Sequence, residues 1–143
     1  MVRINLINPK QLTDQHLIAE YNEILMLLGY VRKYPNYNTC VKKRIPKSYC
    51  LGKGHILFFK NKLIYLKKRH ELLKKEMIKR WFKPTKKVNL SKFNRELKHD
   101  WKPKKNDFKI IKLRLKEKIN KKSDYYQYYH KKRSKKFLLD LLK

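Results

Sequence analysis

The chain has 143 residues and a mass of 17.7 kDa, a length that suits one domain. Its 40 Lys and Arg residues against 11 Asp and Glu give a formal charge of +29, which predicts a polyanionic partner, with nucleic acid as the default. A hydrophobic content of 41% disfavours disorder, 3 Gly and 5 Pro exclude a collagen-like chain, and every apolar stretch is too short for a membrane span.

The first predicted helix begins near Thr13, a good N-cap, and Asp14 suits the positive end of the helix. Apolar residues at helical spacing predict its buried stripe: Leu17, Tyr21, Ile24, Leu28 and Val31. The helix is expected to fade after Gly29 and to end before Pro35.

The rest of the chain reads as two more long helices joined by irregular segments. Residues 34–61 are expected to be irregular, residues 62–81 to form the second helix, and residues 84–106 to be a Lys-rich connection. A third helix is expected to end at residue 121, and residues 135–143 read as a short amphipathic tail. No internal repeat is visible, so the pattern predicts an all-α fold of one compact domain.

Two basic stretches are candidates for contact with nucleic acid. The tyrosines of residues 125–129 precede a basic run, and aromatic rings beside cations suit stacked or flipped bases, although such rings also close cores. The second predicted helix carries cations that could follow a phosphate backbone or simply face solvent: Lys67, Lys68, Arg69, Lys74 and Lys75.

Charge is distributed unevenly along the chain. Residues 1–30 have a net charge of −1, whereas residues 31–143 have a net charge of +30, so chemistry rather than adhesion is expected in the first segment. A metal site at Cys40, Cys50 and His55 is conceivable, but their spacing is not that of a zinc motif and reduced thiols are favoured.

Several stretches together resemble the phage-type pyrimidine-dimer DNA glycosylase/AP lyases. The resemblance covers nearly the whole chain to about residue 132. It is carried by the segments Arg3–Leu6, Asp14–Glu23, Gly29–Lys33, Leu51–His55, Phe58–Phe59, Lys62–Leu63, Leu66–Arg69, Arg114–Ile119 and Tyr125–Tyr129. It implies three main helices with the N-terminal segment threaded between the first and third, in a domain of residues 1–132 followed by a basic extension at residues 133–143.

The resemblance also implies a chemistry. The α-amine of residue 2, exposed once Met1 is removed, attacks C1′ of a damaged nucleotide, forms an imine, and permits β-elimination of the 3′ phosphate. An α-amine has a pKa of about 7.7–8.0 and is therefore partly neutral near pH 7. Val2 would supply this amine and Glu23 would stabilise the cationic sugar and shuttle protons. No metal or cofactor is required.

The remaining implied site residues would contact DNA. Arg3 is expected to hold phosphate and His16 to organise the pocket. The others implied at the DNA interface are Asn22, Met26, Arg114, Lys118, Tyr125, Tyr126, Tyr128, Tyr129 and Lys131.

Three positions depart from the familiar phage enzyme. Val2 stands where it has Thr, and the backbone amine is present in either case. Asn22 and Met26 replace arginines that flank the catalytic Glu, which weakens the specific case for dimer recognition. Tyr125 replaces a Trp, a tolerable change for stacking.

The favoured interpretation is a DNA repair endonuclease: a glycosylase with AP lyase activity on pyrimidine dimers in double-stranded DNA. It would be a monomer that is not secreted and acts in the cytoplasm or wherever the genome resides. Two alternatives stay open. One is an AP lyase or glycosylase for another base lesion, and the other is a noncatalytic, basic nucleic-acid-binding protein such as a ribosome-associated factor.

Overall fold

A computed structural model describes residues 2–143 of the chain. It contains three long helices, three short ones and a two-stranded antiparallel hairpin within that range. In chain order the elements are α1 (Asp14–Lys33), α2 (Thr39–Arg44), α3 (His55–Phe59), α4 (Leu63–Lys79), α5 (Lys105–Lys121), β1 (Gln127–Tyr128), β2 (Lys131–Lys132) and α6 (Lys135–Asp140). The all-α prediction is confirmed.

Helix α1 begins as its sequence predicts, because the Thr13 hydroxyl accepts the amide N–H of His16 at 3.2 Å. All five residues of the predicted apolar stripe are buried. The helix does not fade at Gly29 but continues to Lys33, where burial of Val31 favours the extra turn. It ends before Pro35, as expected.

The prediction of an irregular segment at residues 34–61 is wrong in part, because α2 and α3 lie within it. The Asn38 side chain accepts the amide N–H of Val41 and caps α2. Helix α3 places Phe58 and Phe59 in the core. Both helices are shorter than the window over which helical periodicity can be recognised.

The N-terminal segment is buried and is held by a side chain of α4. Ile4, Leu6 and Ile7 are buried in the core, although this segment has no regular secondary structure. The guanidinium of Arg69 on α4 donates to the backbone carbonyls of Leu6 and Ile7, at 3.1 and 2.6 Å. Side-chain donors thus replace the backbone partners that an irregular buried segment lacks.

Arg69 also forms a buried ion pair with Glu20 of α1. Its Nε and Nη2 donate to the two carboxylate oxygens at 2.6 and 3.0 Å, and both side chains are almost completely buried. The expectation that Arg69 follows a DNA backbone is therefore wrong. Its pairing with a residue 49 positions away cannot be read from helical periodicity.

A second buried network joins the end of α4 to the start of α1. Arg80, fully buried, pairs with Asp14 at 3.0 Å and with Glu76 at 2.9 Å. The carboxylate of Asp14 also accepts the amide N–H groups of Tyr129 and His130, at 3.1 and 2.7 Å. These two residues form the hairpin turn with φ of 51° and 66°, left-handed backbone values that residues other than Gly adopt at a cost. The Asp14 contacts offset that cost.

Helix α6 packs against α5 and adds Leu138 to the core, and Leu142, just beyond the end of the helix, is also buried. The boundary predicted between residues 1–132 and a C-terminal extension stays a prediction. Between residues 2 and 143, no helix is long and apolar enough to cross a membrane.

Replacement of Glu20 by Ala is expected to lower the free energy of unfolding by about 3–5 kcal/mol, because it leaves the Arg69 guanidinium buried without its counter-charge. Urea unfolding at pH 7 measures this change. Asp100→Ala is the matched control, since it removes an exposed pair with Lys68 that is worth at most about 1 kcal/mol. Equal losses in the two variants would contradict the prediction.

Candidate nucleic-acid site

A cavity of about 380 Å³ opens where the N-terminal segment, α1 and α5 meet. Its walls come from residues that are distant in the sequence: Arg3, Asn5, His16, Ala19, Glu23, Arg114, Leu115, Lys118 and Tyr126. Six of these were predicted site residues, and the structure brings them together. Asn5, Ala19 and Leu115 were not predicted, because nothing in their residue types points to chemistry.

Glu23 supplies the carboxyl group of the cavity. Burial raises its pKa to about 7, an effect that Glu20 reinforces and the positive charge of Arg3 opposes. A carboxyl with such a pKa is present in both protonation states near neutral pH, so it can donate or accept a proton there. Such a carboxyl is suited to general acid–base chemistry.

His16 and Tyr126 form one wall of the cavity. Their rings stack with centroids 4.6 Å apart, and Nδ1 of His16 lies 3.0 Å from the Thr13 hydroxyl. Burial and the charge of Lys118 lower the pKa of His16 to about 4, so its imidazole is neutral at pH 7. This side chain is suited to shaping the pocket and not to carrying charge.

Three cations face the same space. Burial and the charge of Arg114 lower the pKa of Arg3, and the charge of Arg114 likewise lowers the pKa of Lys118. Nε of Arg114 is buried and has no hydrogen-bond partner among residues 2–143. The three cations repel one another, and Nε of Arg114 has no acceptor, so these groups suit an anion such as phosphate.

The backbone of Ile4 is held on both sides. Its amide N–H donates to Nε2 of His55 at 2.9 Å, and its carbonyl accepts the Tyr49 hydroxyl at 2.8 Å. Since Nε2 accepts the Ile4 N–H while Nδ1 donates to the Cys50 carbonyl at 2.8 Å, the imidazole is neutral and carries its proton on Nδ1. Val2, two residues before this clamp, is half-buried against the core and is not among the residues that line the cavity.

The clamp was not predicted as part of the site. The only signal was the Leu51–His55 stretch, which contributes to the family resemblance but has no chemistry of its own. The same contacts use both ring nitrogens of His55, so the conceivable metal site with Cys40 and Cys50 is not formed. No group of three or more His, Cys, Asp or Glu side chains suited to a metal occurs in the described part of the chain.

The predicted tyrosine cluster is divided by the hairpin. Tyr126 lines the cavity, and Tyr125, 60% exposed, stands next to it. Tyr128 and Tyr129 instead pack under the guanidinium of Arg80, at 4.5 and 5.1 Å from ring centroid to carbon. These two rings therefore belong to the buried network described above, outside the cavity lining.

The other predicted DNA contacts lie on the surface around the cavity. Asn22 and Met26 are exposed on α1 on either side of Glu23, and Met26 is 57% exposed. Lys131 is exposed on β2. None of the three lines the cavity, and each is accessible to a bound duplex.

A basic helical domain with a carboxyl of near-neutral pKa among cations has the features of an enzyme that acts on nucleic acid. The model of the family described as pyrimidine dimer DNA glycosylase matches residues 1–90. The chain therefore belongs to the pyrimidine dimer DNA glycosylase family, a family of DNA repair enzymes.

Proposed function

We propose that the chain is a DNA glycosylase with AP lyase activity whose nucleophile is the α-amine of Val2. The observation that carries the proposal is the cavity in which Glu23, with a pKa near 7, faces Arg3, the residue that follows Val2. The family to which the chain belongs supports the glycosylase part. Removal of Met1, which the proposal requires, lies outside the described residues.

The reaction breaks the glycosidic bond, then the C1′–O4′ bond of the sugar ring, and last the C3′–O bond to the phosphate. The neutral amine forms a bond to C1′ while the glycosidic bond breaks, and the base leaves with the electron pair and takes up a proton. Opening of the sugar ring then gives an imine between Val2 and C1′. The imine acidifies C2′–H, so loss of that proton expels the 3′ phosphate and its electron pair.

Glu23 is suited to the proton transfers of this sequence. Its ionised form stabilises positive charge on the sugar, and its neutral form donates the proton that ring opening consumes. Arg3, Arg114 and Lys118 supply positive charge for the phosphates beside the reacting sugar. Groups of this chain thus supply the nucleophile, the proton transfers and the contacts to phosphate.

Borohydride trapping tests the proposal. Incubation with a duplex that contains an abasic site, with EDTA present, is expected to give a covalent adduct that peptide mass mapping assigns to Val2. A reductively methylated N-terminus is the control and should give none. Absence of an adduct from protein whose intact mass shows Met1 removed would refute the lyase mechanism.

The clamp on Ile4 leads to a prediction about positioning. Tyr49→Phe removes the hydroxyl that holds the Ile4 carbonyl but keeps the ring, so adduct formation is expected to slow about tenfold or more while affinity for abasic DNA stays unchanged. Rapid-quench trapping and fluorescence anisotropy measure the two quantities. Tyr65→Phe is the control, because that tyrosine packs against the core but its hydroxyl does not hold the Ile4 carbonyl. Equal rates in both variants would remove Tyr49 from positioning.

Substrate range follows from two exposed residues. Asn22 brings no charge and Met26 no hydrogen bond to a distorted backbone, so the natural chain is expected to cleave abasic DNA readily and to prefer dimer DNA only modestly over undamaged DNA. The double variant Asn22→Arg, Met26→Arg should sharpen that preference. Competition assays with the three duplexes measure it. An unchanged preference would assign lesion recognition elsewhere, with residues 125–131 as the next candidate.

A further inference from the structure

A second cavity, of about 490 Å³, opens beside the C-terminal half of α1. Its volume is within the range of ligand pockets, about 300–1,000 Å³. Its lining includes two tyrosines from the end of α1 and three cations from the segment that follows: Tyr30, Tyr34, Arg44, Lys53 and Lys60. None of them takes part in the site described above.

Lys60 is the unusual member of this cavity. Only 8% of the residue is exposed, and its ammonium forms no hydrogen bond or ion pair with any described residue but is not cut off from solvent. Burial and the nearby charge of Arg44 lower its pKa. The buried stem thus carries an ammonium that meets solvent beside a second cation, an arrangement that offers an anion in the cavity two positive charges.

The aromatic side of the cavity has a different character. Tyr30 and Tyr34 are about half exposed, and their rings meet with centroids 5.0 Å apart at an interplanar angle of 49°. Exposed aromatic rings beside cations suit a nucleobase and its phosphate. The cavity therefore offers complementary surfaces to the two parts of one nucleotide.

The position of the cavity relates it to the first one. Glu23 and Tyr30 are seven residues apart on α1, so they lie on the same face and about 10 Å apart along the helix axis. Met26 lies between them on that face. Since a nucleotide of a stacked strand advances about 3.4 Å, this separation corresponds to about three nucleotides.

We infer that the second cavity binds one nucleotide of the DNA strand, about three positions from the reacting sugar, with its phosphate on Lys60 and Arg44 and its base against Tyr30 and Tyr34. The inference rests on the proposed function for its register. Tight binding then requires DNA that extends about three nucleotides to one side of the lesion. A strand bound there would also cover the exposed side chains of Met26, Tyr30 and Tyr34 on α1.

Duplexes of graded length test this site without any chemistry. Each carries a tetrahydrofuran abasic analogue, which cannot form an imine, and extends from one to six nucleotides to one side of it. Affinity is expected to rise in a step at about the third nucleotide on one side only. Lys60→Met should remove the step, at a cost of roughly tenfold in affinity for long duplexes. Lys79→Met, which removes an exposed cation from α4, is the control that should keep it.

Thermal stability separates binding from a structural role. Lys60→Met is expected to leave the Tm unchanged or to raise it, because it keeps a buried apolar stem and removes a partly desolvated charge next to Arg44. A lower Tm, or a step that survives in Lys60→Met, would overturn the inference. If this variant does not fold, which would itself mark Lys60 as structural, the wild-type measurement below decides whether DNA reaches the cavity.

NMR titration of the Lys60 Nζ in the wild-type protein supplies that measurement. Its pKa should rise on binding of a six-nucleotide extension and not of a one-nucleotide extension. The probe dAMP alone, at the same concentration, should leave it unchanged; an equal rise with dAMP would make this a free-nucleotide site and refute the strand contact. A step in affinity without borohydride trapping would refute the proposed function while leaving this site in place.

Discussion

Replacement of Glu23 by Gln is expected to reduce strand cleavage of abasic DNA by several orders of magnitude and to leave DNA affinity within about twofold. The amide keeps the shape of the side chain but can neither accept a proton nor balance a cationic sugar. Single-turnover cleavage and anisotropy with the tetrahydrofuran duplex measure the two effects. The matched control is Glu96→Gln, an exposed residue far along the chain that should cleave at the wild-type rate.

The same variant should be more stable than the wild type at high pH. The pKa of Glu23 is about 7 in the folded protein against 4.5 for an ordinary Glu, so the folded state binds the extra proton between these values. The wild type therefore loses stability as the pH rises from about 4.5 to 7, and the loss is complete above pH 7. Melting curves of Glu23→Gln should show a Tm advantage at pH 8 that disappears below pH 4.5. Cleavage of abasic DNA by Glu23→Gln at the wild-type rate would exclude Glu23 from the mechanism.

Retention of Met1 is expected to abolish cleavage almost completely. One added residue moves the α-amine by about 3.8 Å along the chain, while the clamp from Tyr49 and His55 keeps Ile4 in place. The amine then overshoots the position from which it would reach C1′, and orientation effects of this size are worth about 100-fold in rate.

Variants at residue 2 measure the effect of Met1. Val2→Leu should keep Met1 because a large second residue blocks its removal, whereas Val2→Thr should lose it. Intact mass gives the state of the N-terminus, and borohydride trapping gives the activity. Trapping that is equally efficient in the two variants would show that the α-amine is not the nucleophile.

Periodicity accounts for most of the architecture that could be predicted. The apolar stripe of α1 repeats over four turns, so its burial follows from local sequence. Helices α2 and α3 span only six and five residues and depend on packing for their existence. Their prediction from one sequence was therefore not possible.

Long-range polar pairing accounts for most of what was missed. Arg69 lies in a run of cations, and only its long-range contacts with Glu20 and with the N-terminal backbone distinguish it from its solvent-exposed neighbours. The clamp on Ile4 likewise joins residues 45 and 51 positions apart. The candidate site was reached by family resemblance, since a lone Glu on a helix carries no signal of its own.

The walls of the Glu23 cavity come from both ends of the chain, with Arg3 near its beginning and Tyr126 near its end. During synthesis the amine-bearing end leaves the ribosome first, more than 120 residues before the ring that closes the cavity. A nascent chain thus carries its reactive group through nearly all of translation without the surroundings that would make it react. Under the proposed mechanism, activity begins only with completion of the fold, which protects intact DNA and the newly made protein from premature cross-linking.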